Sequence, residues 1–316
     1  MHQNKNILVV GELNIDLILN NIKELPVIGQ EIIARDMNIT MGSSSAIFAA
    51  NIATLGINTS FCGMVGKDSF GKFILEELNR KNINTEYIKE SIADKTGMTV
   101  VMNYSDDRAN VTFPGAMETF SLAHVPKDIS SFDHLHLSSY FLQKALRADI
   151  PALFKKAKEN GLTTSLDIQW DPENEWIFPF EECLPYVDVF LPNESEILLL
   201  TKSSSLEDAA MKLASFENMI IIKRGTRGSL TYHKGNFISS PSMLHNNFID
   251  AIGAGDSFNA GFISKYLKGY QLENCLQFAN LCGAINTTAA GGTAAFENIN
   301  LFKEKAKSLF NTEVLL

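Results

Sequence analysis

The sequence predicts an α/β protein built on a doubly wound, mainly parallel sheet with a small β-sheet lid, and three observations carry that prediction. Short strand-like runs at Ile7–Val10, His134–Ser138, Thr163–Asp167, Val187–Leu191 and Met219–Lys223 alternate with segments of helical periodicity. Between the two stretches of alternation, residues 86–113 read instead as short strands. Polar side chains also follow directly on the first strand, and ligands of open α/β sheets bind beyond the carboxyl ends of the strands.

Ile7–Val10 ends at Gly11 and is followed by Glu12, Leu13, Asn14, Ile15 and Asp16. Asn14 and Asp16 offer donors and acceptors suited to sugar hydroxyls, and suit equally well a turn that bonds its own backbone. Residues 31–41 partly alternate apolar and polar side chains, as a half-exposed strand does. Gly42 and Ser43–Ser45 then lead into Ala46–Gly56, a helix with a serine N-cap and a glycine stop, apolar nearly all round and so internal. Strand Thr59–Val65 and helix Ser69–Lys81 continue the alternation. Residues 86–91, 97–104 and 109–113 are short strands, the last two joined by a hairpin turn at Ser105–Arg108. With residues 31–41 they are expected to form the lid.

Beyond His134–Ser138 the sequence predicts helix 142–159, strand Thr163–Asp167, a helix near 173–183, strand Val187–Leu191, and helices 193–201 and 206–215. Strand Met219–Lys223, a hairpin of 229–233 with 236–239 and a last helix at 271–290 complete the chain. The expectation is one domain over residues 1–316, with lid strands from about 31–41 and 86–114 inserted in it. His134 and His136 share one face of their strand without a third metal ligand in view, which favours hydrogen-bonded core histidines over a metal pair.

Of the 316 residues, 45% are hydrophobic and 20% charged, and the net charge is −9. Binders of nucleic acid or of membrane surfaces need a basic footprint, so neither class of partner is expected. The start shows no signal-peptide pattern and no apolar run is long enough to cross a bilayer. Cys62, Cys183, Cys275 and Cys282 are scattered, without metal-ligand spacing, as buried free thiols of a cytoplasmic protein are.

One stretch concentrates the chemistry. Asp250–Phe262 begins as a turn of small residues and continues as a helix that puts Phe258, Phe262, Ile263, Tyr266 and Leu267 on a buried face. The boundary is a helix N-terminus, where unpartnered N–H groups favour an anion and Gly253 and Gly255 let it approach the backbone. Asp256 sits in the first turn, where a carboxylate can take a proton from a hydroxyl attacking a phosphoryl group. Ordinary capping would use the same residues. The P-loop, Gly-x-Gly-x-x-Gly, Gly-x-Ser-x-Gly and His-Glu-x-x-His signatures are all missing.

Together, these residues resemble the ribokinase (PfkB) family of carbohydrate kinases over nearly the whole chain. Asp250, Ile252–Asp256 and Phe258 match the family's Asp-Thr-x-Gly-Ala-Gly-Asp-x-Phe signature, with Ala251 in place of Thr. Asn193 to Glu196 supplies its Asn-x-x-Glu element, and Lys223, Gly225 and Gly228 its Lys-x-Gly-x-x-Gly segment. Gly11, Asn14, Asp16, Pro26 and Gly29, and then Gly56, Gly63, Gly66, Asp68 and Gly71, follow the family's spacing.

The resemblance implies a ribokinase-like fold and an ATP- and Mg²⁺-dependent sugar kinase in which Asp256 is the base and the amides of Gly253, Ala254 and Gly255 form an anion hole. Asn193 and Glu196 would organise Mg²⁺ through water, or simply cap a helix. Lys223, Gly225, Gly228 and Asn280 would lie along the nucleotide, Asn280 fitting a structural role nearly as well. Asn14, Asp16, Gly42, Ser43 and Arg108 would hold the sugar, although Arg108 reads more readily as an exposed turn residue. Asp250 and the Ile252 carbonyl would serve a monovalent cation such as K⁺, and the lids would pair in a homodimer.

Two departures bear on the substrate. Ile47 stands where the family has a sugar-binding Asn, which points away from ribose phosphorylation and leaves the serines to compensate. Asp171 stands where 2-keto-3-deoxygluconate kinases carry an Arg for the substrate carboxylate, so a neutral hexose or pentose, fructose-like first, is expected. The alternatives are a 2-keto-3-deoxygluconate kinase, a nucleoside kinase, or a sugar-binding sensor without catalysis.

Overall fold

The computed structural model describes residues 5–104 and 108–315. Its strands are β1 (Asn6–Val10), β2 (Asn14–Asn20), β3 (Asp36–Met41), β4 (Asn58–Gly66), β5 (Asn84–Ser91), β6 (Gly97–Asn103), β7 (Arg108–Phe113), β8 (His134–Ser138), β9 (Thr163–Asp167), β10 (Val189–Phe190), β11 (Met219–Lys223), β12 (Ser229–His233) and β13 (Asn236–Ser240). Nine of them form one sheet in the order β13-β12-β11-β10-β9-β8-β1-β4-β5, and β3-β2-β6-β7 form a second. The large sheet is parallel from β11 through β5, with the β12–β13 hairpin antiparallel at its edge.

The helices are α1 (Ser44–Thr54), α2 (Ser69–Arg80), α3 (Lys144–Arg147), α4 (Ile150–Glu159), α5 (Phe180–Cys183), α6 (Glu194–Thr201), α7 (Leu206–Leu213), α8 (Ala254–Leu267), α9 (Leu272–Asn286) and α10 (Ile299–Phe310). Phe154, Ile197 and Leu213 bring α4, α6 and α7 to one face of the sheet. Phe48, Ile74, Phe258, Phe262 and Leu276 bring α1, α2, α8 and α9 to the other, which is the doubly wound arrangement. In the sheet's interior His134 and His136 are fully buried. They sit in a chain of contacts of 2.7–2.8 Å with Thr163, Ser165 and Ser138, and burial holds both rings below the usual imidazole range, His134 at about 3.

The structure corrects several expectations. β5 pairs with β4 at the edge of the large sheet, so residues 86–91 are not part of the lid; a half-exposed edge strand shows the same alternation as a lid strand. The lid gains β2 instead, an inner strand that pairs with β3 and β6. Its opening Asn14 and Asp16 disguise it as a turn. The helix expected over 142–159 is divided into α3 and α4 at Asp149, with Pro151 in the first turn of α4. Only α5 is helical within 173–183, and α10, capped by the Asn298 side chain, was not anticipated. The expected turn at Ser105–Asp107 lies outside the described residues.

Candidate active site

β1 runs into Gly11–Leu13 and, without a helix between, becomes β2 of the small sheet, so Glu12 lies at the joint and Asn14 and Asp16 on the small sheet. Glu12 is 2% exposed. Its carboxylate accepts from Ser44 Oγ at 2.8 Å, Ser45 Oγ at 2.6 Å, Ser45 N at 3.2 Å and Ser139 Oγ at 2.9 Å. Ser43 Oγ donates to the Glu12 carbonyl at 2.6 Å and accepts from Ala46 N at 3.0 Å, capping α1. The serines are thus engaged in fixing Glu12 and the helix.

Asp16 Oδ1 accepts from Asn14 Nδ2 at 3.0 Å, and burial pushes its carboxyl up to about 7. Gly42 lies directly beneath this pair. A Cβ there would stand 2.1 Å from Asp16 Oδ1 and 2.7 Å from Asn14 Nδ2. Ile47, in place of the family's Asn, packs against the backbone of Gly253 and Gly292: ideal Cβ atoms on these glycines would lie 3.1 and 2.4 Å from its side chain.

On the opposite side, α8 begins at Gly253, whose φ of 72° and contact with Gly292 admit no side chain. Asp256 follows in the first turn and is 7% exposed. Burial first, then the Asp167 carboxylate, raise it well above the ordinary carboxylate range. Asp167, at the end of β9, is fully buried, and its Oδ2 accepts from Lys223 Nζ at 2.6 Å, Asn259 Nδ2 at 2.5 Å and Gln169 Nε2 at 2.9 Å. Burial works against the charge of Lys223, but Asp167 and Glu196 outweigh it and hold the ammonium above its usual value. Gln169 Nε2 also reaches Asp256 Oδ1 at 3.2 Å.

Two cavities meet here. One, of about 470 Å³, is lined by Asn193, Glu196, Lys223, Gly225, Gly228 and Asn280 together with the start of α8. The other, of about 700 Å³, is lined by Glu12, Asn14, Asp16, Ser43, Thr99 and Asn110 among others. Arg108, Gln169, Gly253 and Asp256 line both. Glu196 closes a capping box, its two oxygens accepting from Asn193 N at 2.8 Å and Asn193 Nδ2 at 2.6 Å, and burial with Asp167 pushes it up to about 7. A buried carboxylate with no ion-pair partner among the described residues, on the wall of this cavity, fits an Mg²⁺ held through water. Asn280 Nδ2 donates to Ser240 Oγ at 3.0 Å, tying α9 to β13.

Asp250 and Ile252 carry hydrogen bonds where a monovalent cation was expected. The Asp250 oxygens accept from Ile252 N and Gly291 N, each at 2.9 Å, and the Ile252 carbonyl accepts from Asn286 Nδ2 at 2.6 Å. Asp171 is also not where its expected role requires. It is 2% exposed and its oxygens accept from the backbone of Glu173, Glu175 and Trp176 at 2.7–3.0 Å, so it caps its own loop and faces no sugar. Glu12, Asp167, Gln169 and Ser139 were missed as site residues, although Glu12 and Asp167 stand at strand carboxyl ends, the very signal that singled out Asn14.

A family model described as pfkB family carbohydrate kinase matches residues 4–299. A ribokinase of Arabidopsis thaliana is 27% identical over 295 residues, covering 90% of this chain and 76% of its own. A fructokinase of Vibrio alginolyticus is 27% identical over 276 residues, covering 80% and 87%. The solved structure of Arabidopsis thaliana ribokinase complexed with ribose and ATP superposes with a TM-score of 0.83 at 25% identity, over 95% of this chain and 98% of that one. By fold, by joined cavities and by these likenesses, the chain belongs to the pfkB family of carbohydrate kinases.

Proposed function

We propose that this sugar kinase transfers the γ-phosphoryl group of ATP to a hydroxyl of a neutral hexose or pentose, with a fructose-like ketose first. The observation that carries the reading is the buried Asp256 at the junction of a 470 Å³ cavity suited to the nucleotide and a 700 Å³ cavity suited to a sugar. Asp256 takes the proton as the sugar O–H bond breaks, the sugar oxygen bonds phosphorus, and the bond from phosphorus to the departing ADP oxygen is lost. The start of α8 supplies backbone amides and the positive end of a 14-residue helix to the developing charge. Glu196, with Asn193 holding its orientation, would bind Mg²⁺ through water. When bound, Mg²⁺ neutralises phosphate charge.

The neutral substrate no longer rests on Asp171. Glu12, Asp16, Glu173 and Asp256 put four acidic groups around the sugar cavity against two cations, Arg108 and Lys144, of which Lys144 is paired with Glu118 at 2.8 Å. Such a wall accepts hydrogen bonds from hydroxyls and disfavours a second carboxylate. Relatives named for ribose and for fructose are equally similar and do not choose between the two sugars.

The test is ATP consumption screened over neutral sugars, sugar acids, sugar phosphates and nucleosides. Turnover highest on a neutral ketose is expected; a sugar acid or a nucleoside turned over far better than fructose would refute the substrate class. Asp256→Asn should lower kcat by about 10²- to 10⁴-fold, and retention of most of the turnover would remove Asp256 from its role as base.

A further inference from the structure

Gln169 carries three features that no motif announces. Its backbone is in the left-handed region at φ 60°, a conformation costly for a residue with a side chain and concentrated at functional sites. It lines both cavities at their junction. Its single amide nitrogen spans two buried carboxylates, 2.9 Å from Asp167 Oδ2 and 3.2 Å from Asp256 Oδ1. The two amide hydrogens thus go one to each acid, and Asp167 is in turn held by Lys223 and Asn259.

We propose, on the footing of the transfer chemistry above, that Gln169, braced by Asp167, is the positioning residue of the base: it fixes Asp256 Oδ1 and leaves Oδ2 to take the hydroxyl proton. Without the bridge the two carboxylates would approach one another with no donor between them, and the side chain of Asp256 would have no fixed orientation toward the sugar. The groups acting on Asp256 are Asp167 at the end of β9, Lys223 at the end of β11, Glu12 after β1 and Glu196 on α6. Arg108 at the start of β7 lines the same two cavities.

The bridge has a signature in the pH dependence of kcat. The Gln169 N–H favours ionised Asp256, whereas the Asp167 carboxylate opposes it. Gln169→Gly removes the amide while accepting φ 60° without strain. With Mg²⁺ and sugar saturating, this variant should lose kcat by about 100-fold, with both KM values within about threefold of wild type, and its acid limb should move to higher pH by roughly one unit. Asp167→Asn should move the acid limb the opposite way, to lower pH.

A merely structural role would lower the thermal midpoint or the active fraction and leave the limb in place. An unmoved limb in Gln169→Gly, or both variants shifting in one direction, would overturn the positioning role while leaving the kinase reading intact. Wild-type protein without sugar-dependent ATP turnover would overturn both.

Discussion

At the scale of single residues the site is a set of buried polar groups that answer to one another. Gly42 shows how little slack they have. It contributes no polar side chain, yet a methyl group on it would stand 2.1 Å from Asp16 Oδ1, and the aspartate would have to leave its place beside Asn14. Gly42→Ala should therefore raise the KM for sugar by about tenfold or more, in line with the loss of one or two hydrogen bonds to a charged group, while the KM for ATP stays as it was. Steady-state kinetics with each substrate varied in turn would check the split, and a matching rise in both constants would show that the disturbance is not local. The same scale explains Ser43–Ser45: once Glu12 is buried, its oxygens need donors, and a run of serines supplies them.

At the scale of elements, the start of α6 joins two roles in one pair of residues. Asn193 and Glu196 form a reciprocal cap, and Glu196 also lines the 470 Å³ cavity. Gln at 196 keeps an acceptor for the Asn193 N–H but carries no charge, so Glu196→Gln should leave the helix folded and raise the Mg²⁺ concentration for half-maximal rate about tenfold. A Mg²⁺ titration of the rate, alongside a melting curve, separates the two roles. The elements were legible from sequence where one period dominated: β8, β9 and β11 lie where the strand-like runs placed them. Legibility failed where two structures share a pattern. β5 and the lid strands both alternate, and only hydrogen-bond pairing distinguishes an edge of the large sheet from a strand of the small one. The motif residues Asn193, Lys223 and Asp256 line one cavity, whereas Asp167 and Gln169 act through contacts between β9, β11 and α8 that no local spacing encodes. Asp171 was misjudged for the same reason, since the turn that points it inward depends on its own loop closing.

At the scale of the whole molecule the buried acids and histidines oppose one another in stability. Asp16 and Glu196 are pushed up to about 7 and burial lifts Asp256 well above the ordinary carboxylate range, so over the range above the unfolded value the native state holds protons that the unfolded chain releases. The stability from these three is present in acid and is lost as pH rises through their folded values. His134 and His136, held low, act with the opposite sign and lose stability as pH falls below the unfolded value near 6.5. Asp16→Asn keeps the shape of the protonated acid and cannot ionise. It should raise Tm at pH 8 by about 3 °C or more, leave it nearly unchanged near pH 4, and diminish sugar turnover at both; a Tm rise of equal size at the two pH values would refute the ionisation account. The cluster of carboxylates therefore makes the resting protein less robust in alkali than its core would allow. A library selected only for heat resistance at alkaline pH would gather substitutions at Asp16, Glu196 and Asp256, and its survivors would chart the site by having lost it.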